Sequence, residues 1–127
     1  MRVFKTKVFT RFARKAGLDD PALRESISTA ESGLIDADLG GGVIKQRIAR
    51  PGEGKSGGFR VIILFRTKDR AVFVHGFGKN ERDNIGDDEL AAFKELAALM
   101  LSYSDSEIAV AIENGALIEV SDDKAIS

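Results

Sequence analysis

The chain has no cysteine, one histidine and one tyrosine among its 127 residues. Without thiols there is no disulfide, no thiolate metal site and no cysteine nucleophile. The lone histidine, His75, rules out a metal site or a catalytic pair built on two histidines. Long apolar runs are missing as well. The longest strongly apolar run, VIILF at 61–65, is far too short to span a bilayer. No signal-peptide pattern is visible, and the expected location is the cytoplasm, with no membrane partner.

What remains is an ordinary globular composition, 43% hydrophobic and 31% charged, in a length that suits one domain with its own core. The net charge of −1 hides a division. Residues 1–82 carry 17 Lys/Arg against 9 Asp/Glu, a balance of +8, and residues 83–127 carry 2 against 11, a balance of −9. The overall charge therefore says little about which ligands the surface attracts, and the basic part points to a polyanion such as nucleic acid.

Residues 2–7 read as short and extended. Val8, Phe9, Phe12, Ala13 and Ala16 then recur at helical spacing and stop at Gly17. A second helix starts near Asp20-Pro21, with Asp as cap and Pro at the first helical position, and ends at Gly33. DLGGGV at 38–43 reads as a flexible hinge. Strands are expected at 43–49, 59–66 and 71–77, joined by links short enough for antiparallel neighbours. An amphipathic helix follows at 87–101, with acids at its start. A shorter helix at 104–115 opens on a capping box, Ser104 with Glu107, and ALIEV forms a possible short strand. The expected architecture is α+β: an N-terminal helix pair packed on a three-to-four-stranded antiparallel sheet, with C-terminal helices.

The most informative stretch is KQRIARPGEGKSGGFR at 45–60. It holds Lys45, Arg47, Arg50, Lys55 and Arg60 against a single acid, Glu53. Pro51 and the glycines of PGEGKSGG keep its middle out of helix, so flanking strands can hold cations around an open concavity. The GEGKS segment lacks the first glycine of a P-loop, because Ala49 stands there. His75 reads as a packed or edge residue, and Asp87, Asp88 and Glu89 as acids at a helix start.

Two segments, GGVIKQRIARPGEGKSGGFRVI (41–62) and VHGFGKNERDNI (74–85), resemble the RelE/ParE toxin superfamily, in particular the RelE/HigB-type toxins of type II toxin–antitoxin systems. The likeness lies in Gly52-x-Gly54-Lys55-x-Gly57-Gly58-x-Arg60 entering one strand and Phe77-Gly78-Lys79-Asn80-Glu81 leaving the next. It covers residues 1–102, a RelE-like toxin domain, with 103–127 an acidic C-terminal extension of the same domain. The resemblance implies a ribosome-dependent mRNA interferase that inhibits translation. It also implies a cognate antitoxin, typically a helix-turn-helix protein from the neighbouring gene, with promoter DNA bound only through the antitoxin complex. A ParE-like toxin acting on gyrase and a non-catalytic, degenerate toxin with a regulatory role are the alternatives.

RNA can be cut without cofactor, metal or histidine. The ribose 2′-OH attacks its own 3′-phosphate and leaves a 2′,3′-cyclic phosphate and a 5′-OH. A lysine crowded by other cations loses affinity for its proton and can act as general base. Arginine stays charged and grips two phosphate oxygens with its planar fork. The expected roles are Lys55 or Lys45 as base, Arg60 as phosphate clamp, and Lys79 as acid or second phosphate contact. Arg47, Arg50, Lys55 and Arg60 are the expected RNA-binding cations. Tyr103, the only tyrosine, lies outside the motifs and reads as a helix-end residue packed on the core. Phe59 or Phe77 could stack on a base instead.

Overall fold

The computed structural model describes residues 1–50, 58–79 and 84–121. A strand, β1 (Arg2–Thr6), comes before any helix. Thr6 ends it by capping α1 (Lys7–Ala16): its Oγ1 accepts from the Phe9 N–H at 3.2 Å. Gly17, at a φ of 73°, closes α1 in the left-handed conformation that glycine adopts without strain. In α2 (Asp20–Glu31) the cap is Asp19, one residue earlier than expected, and it accepts from the Ala22 N–H at 3.0 Å. Asp20 is thereby left free for tertiary contacts.

The DLGGGV segment is no hinge. It contains the end of β2 (Ala37–Gly40) and a tight turn into β3 (Val43–Ile48). Gly40, Gly41 and Gly42 all have positive φ, and a Cβ on Gly42 would come within 3.0 Å of Leu101. β4 (Phe59–Arg66) and β5 (Arg70–Gly78) follow, then α3 (Asp87–Met100), α4 (Asp105–Glu113) and β6 (Leu117–Glu119). The capping box of α4 forms as expected: Ser104 Oγ accepts from the Glu107 N–H and Glu107 Oε1 from the Ser104 N–H.

Among the described residues the sheet has six strands in the order β2-β3-β4-β5-β1-β6, not three or four. It is mixed, because β1 runs parallel to β5 while the other neighbours are antiparallel. β1, β2 and β6 are three to five residues each, too short to show a hydrophobic period. Helices cover both faces. Phe9, Ala13, Leu23 and Ile27 of α1 and α2 pack on Ile44, Val61, Ile63 and Phe73. On the reverse face, Ala97, Leu101, Ile108 and Ala111 of α3 and α4 pack on Phe4, Val43, Ile62 and Leu64. Among the described residues, no helix is long and apolar enough to cross a membrane.

Polar anchors tie the C-terminal part into this frame. Arg70 is buried in the sheet and donates to the carbonyls of Met100 and Tyr103, both at 2.9 Å, which holds the α3–α4 junction. The Val120 N–H donates to the Val3 carbonyl at 2.8 Å, and Arg24 donates to the carbonyls of Met1 and Val120. Arg2 and Glu119 form a two-bond ion pair at the sheet edge.

Asp20 joins three elements: Lys5 Nζ lies 3.0 Å from one of its oxygens and the Ser121 N–H donates to the other at 2.9 Å. Partial burial opposes its charge, but the Ser121 N–H, the Lys5 ammonium and the Arg24 guanidinium outweigh it and hold the carboxyl below its ordinary pKa. A depressed folded-state pKa means that the carboxylate contributes stability above the unfolded value and loses it as pH falls through the folded one. Asp20→Asn should therefore lower stability by ~1 kcal/mol at neutral pH. The deficit should close as pH drops below about 4. Thermal melts of both proteins across that range test this; a gap that stays constant into acid would assign the loss to something other than the charge.

Candidate nucleic-acid interface

The site begins with an irregularity in β5. Ile62 pairs with His75 and Ile63 with Phe73, so Val74 has no counterpart on β4. Strict alternation would put Phe73, His75 and Phe77 on one face. The extra residue turns the second half of the strand over. Phe73 stays in the α1–α2 core, Val74 joins the α3–α4 core, and the His75 ring sits 5.7 Å from Phe93 of α3 and 5.8 Å from Phe77. Gly76 consequently faces α1, where a Cβ would lie 2.2 Å from the Phe12 ring. Only glycine lets that helix lie so close.

Two rows then cross three strands on the α3 side of the sheet. One is Lys45–Ile62–His75 and the other Arg47–Arg60–Phe77. The second row sets two guanidinium-bearing residues directly opposite each other, an arrangement that repels and lowers sheet stability. Arg47 is exposed and relieved by Asp36, whose carboxylate lies 2.9 Å from its Nε. Arg60 is only 7% exposed, and its buried Nη1 has no hydrogen-bond partner among the described residues. A buried cationic donor without an acceptor is costly, so its place in the fold calls for an anion.

The rest of β3 is held from the opposite face. Gln46 is buried, donates to the carbonyls of Ser26 and Leu34, and accepts from the Asp36 N–H at 2.7 Å. This stitching fixes both Asp36 and the strand that presents Lys45 and Arg47. Gly58 admits β4 beside the end of β3, since a Cβ there would lie 2.2 Å from the Ile48 carbonyl oxygen. The Lys79 N–H donates to the Gly58 carbonyl at 3.2 Å, and alternation from Phe77 carries the exposed Lys79 side chain to the Arg60 face.

Lys45, Arg47 and Arg60 thus converge, with Lys79 at the rim. Arg50 does not join them: its guanidinium lies 4.4 Å over the ring of Phe59. Phe59 belongs to the α1–α2 core with Phe12 against its edge, and so cannot stack on a base at this face. Phe77 is on the correct face. Lys55 lies outside the described residues. Tyr103 sits at the other end of the molecule, where its carbonyl is bonded to Arg70, the first residue of β5. Seven residues of strand from Arg70 to Phe77 span roughly 23 Å. His75 is packed between Phe77 and Phe93, as a packed or edge residue was expected to be, and Phe93 joins the α3–α4 core. The bulge brings His75 in, and it leaves no mark in the local pattern of apolar residues. Among the described residues, no group of His, Cys, Asp or Glu could hold a metal ion.

The profile of a family described as "RelE toxin of RelE / RelB toxin-antitoxin system" matches residues 1–120. The chain belongs to the RelE toxin family. A search of curated proteins found no match. The family match runs through α4 and β6, beyond residue 102, the expected limit of the resemblance. Membership makes this RelE-family chain the toxin of a toxin–antitoxin system, and it implies a cognate antitoxin as partner.

If Arg60 is placed for a ligand and not for the fold, Arg60→Met should leave stability unchanged or raise it by about 1 kcal/mol, because an unpaired buried charge is removed. Inorganic phosphate should raise the Tm of the unaltered protein and have little effect on the variant. Melts with and without phosphate measure both. A loss of ~3 kcal/mol or more in Arg60→Met would mark the guanidinium as structural.

Proposed function

We propose that this RelE-family toxin is a ribosome-dependent mRNA endoribonuclease that inhibits translation by 2′-OH attack. The observation that carries the reading is Arg60, a buried guanidinium with an unpartnered Nη1, beside Arg47 and in reach of the Lys45 strand. In the reaction the 2′-oxygen forms a bond to phosphorus and the bond from phosphorus to the 5′-oxygen breaks. One group removes the 2′-OH proton and another delivers a proton to the leaving oxygen. Arg60, with Arg47 beside it, would hold the non-bridging oxygens as charge builds on the phosphorane-like transition state. Lys45, two residues from Arg47 on the same strand face, and Lys55 of the glycine motif are the candidates for base. Lys79 at the rim would act as acid or as a second phosphate contact. His75, half-buried on the same face, offers ring surface beside the clamp for a base of the RNA, whereas Phe77 is buried beneath it.

A second reading has one observation in its favour. The only tyrosine lies at the far end of β5, so no tyrosine assists proton transfer here. A non-catalytic toxin-fold regulator would tolerate that distance.

Expression without antitoxin should arrest growth, and purified toxin should cut mRNA on programmed ribosomes. Arg60→Ala should lower the single-turnover rate by ~10²–10³ at saturating toxin. Lys45→Ala should lower that rate more than it weakens binding if Lys45 is the base, and the reverse if it only positions the phosphate. Intact mRNA and unaffected growth with the unaltered chain would favour the regulator.

A further inference from the structure

We infer that the cleft between α2 and the open edge of β3 is a nucleobase pocket that selects a base with an exocyclic amine and rejects uracil. This role rests on the proposed action on RNA and adds which bases the toxin accepts next to the phosphate held at Arg60. The cleft has a volume of about 190 Å³, with Ala22, Glu25 and Thr29 on the helix side and Arg47, Ile48 and Ala49 on the strand side. Pockets for drug-sized ligands run to roughly 300–1,000 Å³, so this one suits a single planar ring.

Arg47 belongs to both places. It stands opposite Arg60 in the cation row, and it also borders the cleft. β2 pairs with β3 only from Val43 to Lys45, so among the described residues the edge beyond Lys45 is uncovered. The register decides which groups lie on that edge. The Phe65 N–H donates to the Gly42 carbonyl, so the even-numbered residues of β3 bond to β4 and the odd-numbered ones point the other way. The Arg47 N–H and C=O therefore face outward. Among the described residues neither has a hydrogen-bond partner.

An open peptide edge offers a donor and an acceptor side by side, and every base presents a complementary pair on its Watson–Crick edge. Glu25 makes the choice among them. Its side chain is exposed, and among the described residues it has no ion pair or hydrogen-bond donor. Adenine, cytosine and guanine each have an amine hydrogen left for that carboxylate. Uracil has none and would set a carbonyl oxygen against it. The same carboxylate repels phosphate, so the base enters the cleft and the backbone stays at the arginines. A protein strand is the weaker fit. The uncovered edge offers Arg47 and Ala49 before Pro51, which has no N–H, and that is too short for a ladder.

The test is an NMR titration of the full chain, labelled with ¹⁵N, against 3′-CMP, 3′-UMP and inorganic phosphate. The two nucleotides have the same size and differ in the group that meets Glu25. We expect 3′-CMP to shift the amides of Arg47 and Thr29 and to bind roughly tenfold tighter than 3′-UMP. Phosphate alone should leave the Thr29 amide in place. Glu25→Ala should bring the two nucleotides within about twofold, by weakening 3′-CMP, while keeping the Tm. Ala22→Leu, which fills the cleft, should reduce both nucleotides to the affinity of phosphate. Equal affinities for 3′-CMP and 3′-UMP in the unaltered chain overturn the inference, and a Tm still raised by phosphate would then leave the Arg60 site standing. A Thr-Val-Thr-Val peptide that moves the Arg47 and Ala49 amides more than 3′-CMP does would assign the edge to a protein strand and overturn it too. Discrimination by a chain that never cuts mRNA would keep the pocket and remove the endoribonuclease reading alone.

Discussion

One unpaired residue, Val74, decides what the site contains. The pairing of β5 with β4 slips at this point, so the strand contributes Phe73 to one core and His75 and Phe77 to the opposite face. Without the bulge, His75 and Phe77 would be driven into the α1–α2 core, and Gly76 would face α3. The tight contact of Phe12 with Gly76 and the row Arg47–Arg60–Phe77 are two results of the same slip. A bulge of this kind re-aims side chains where a regular strand cannot, which is why bulges gather next to functional sites.

The long elements were legible because their periods are long enough to read. α1, α2, α3, β3, β4 and β5 fall within a residue or two of the expected bounds. β1, β2 and β6 were not legible as partners. β1 and β6 pair with residues more than sixty positions away, such as Val3 with Ala71 and Lys5 with Ile118, and β2 is a four-residue strand that pairs with β3 across the glycine turn. The shared face of Lys45 and Arg47 followed from alternation alone, and the placement of Arg60 beside them needed only the antiparallel register of β3 and β4. Arg50 shows the limit of that logic. Proximity in sequence put it in the cluster, but it sits two residues past Ile48, a member of the α1–α2 core, and its guanidinium finds the Phe59 ring instead. Phe59 and Phe77 looked equivalent as stackers. The register separates them, since Phe77 pairs with Arg60 while Phe59 is one residue out of phase.

Burying Arg60 opposite another arginine is a poor choice for a sheet judged by stability alone. The surrounding scaffold is correspondingly strong. β4 is buried along seven of its eight residues, and Gln46 satisfies both ends of its amide within the α2–β3 contact. A rigid strand also keeps the guanidinium from relaxing toward solvent or toward Asp36, which already serves Arg47. On the proposed reading, an anion bound at Arg60 would relieve that repulsion. This is the arrangement expected of electrostatic preorganisation, in which the cost of orienting charge falls on folding and not on the reaction.

The division of charge along the sequence takes on a physical meaning in the fold. Many acids have local structural work. Asp19 caps α2, Glu89 accepts from the Gly86 N–H, Glu107 completes the box of α4, and Glu119 and Asp20 hold the C-terminal strand through Arg2 and Lys5. Among the described residues the cations of α1 have no such partners, and Arg60 has an unpartnered nitrogen. Acids neutralise the net charge while standing where they stabilise helix starts and strand edges, and among the described residues the α1 cations and one nitrogen of Arg60 are left without an acidic partner, while Arg47 has Asp36. A net charge near zero thus coexists with two local concentrations of cations, on α1 and around Arg60. What decides the ligand is which charges the fold leaves uncompensated, and here those are positive.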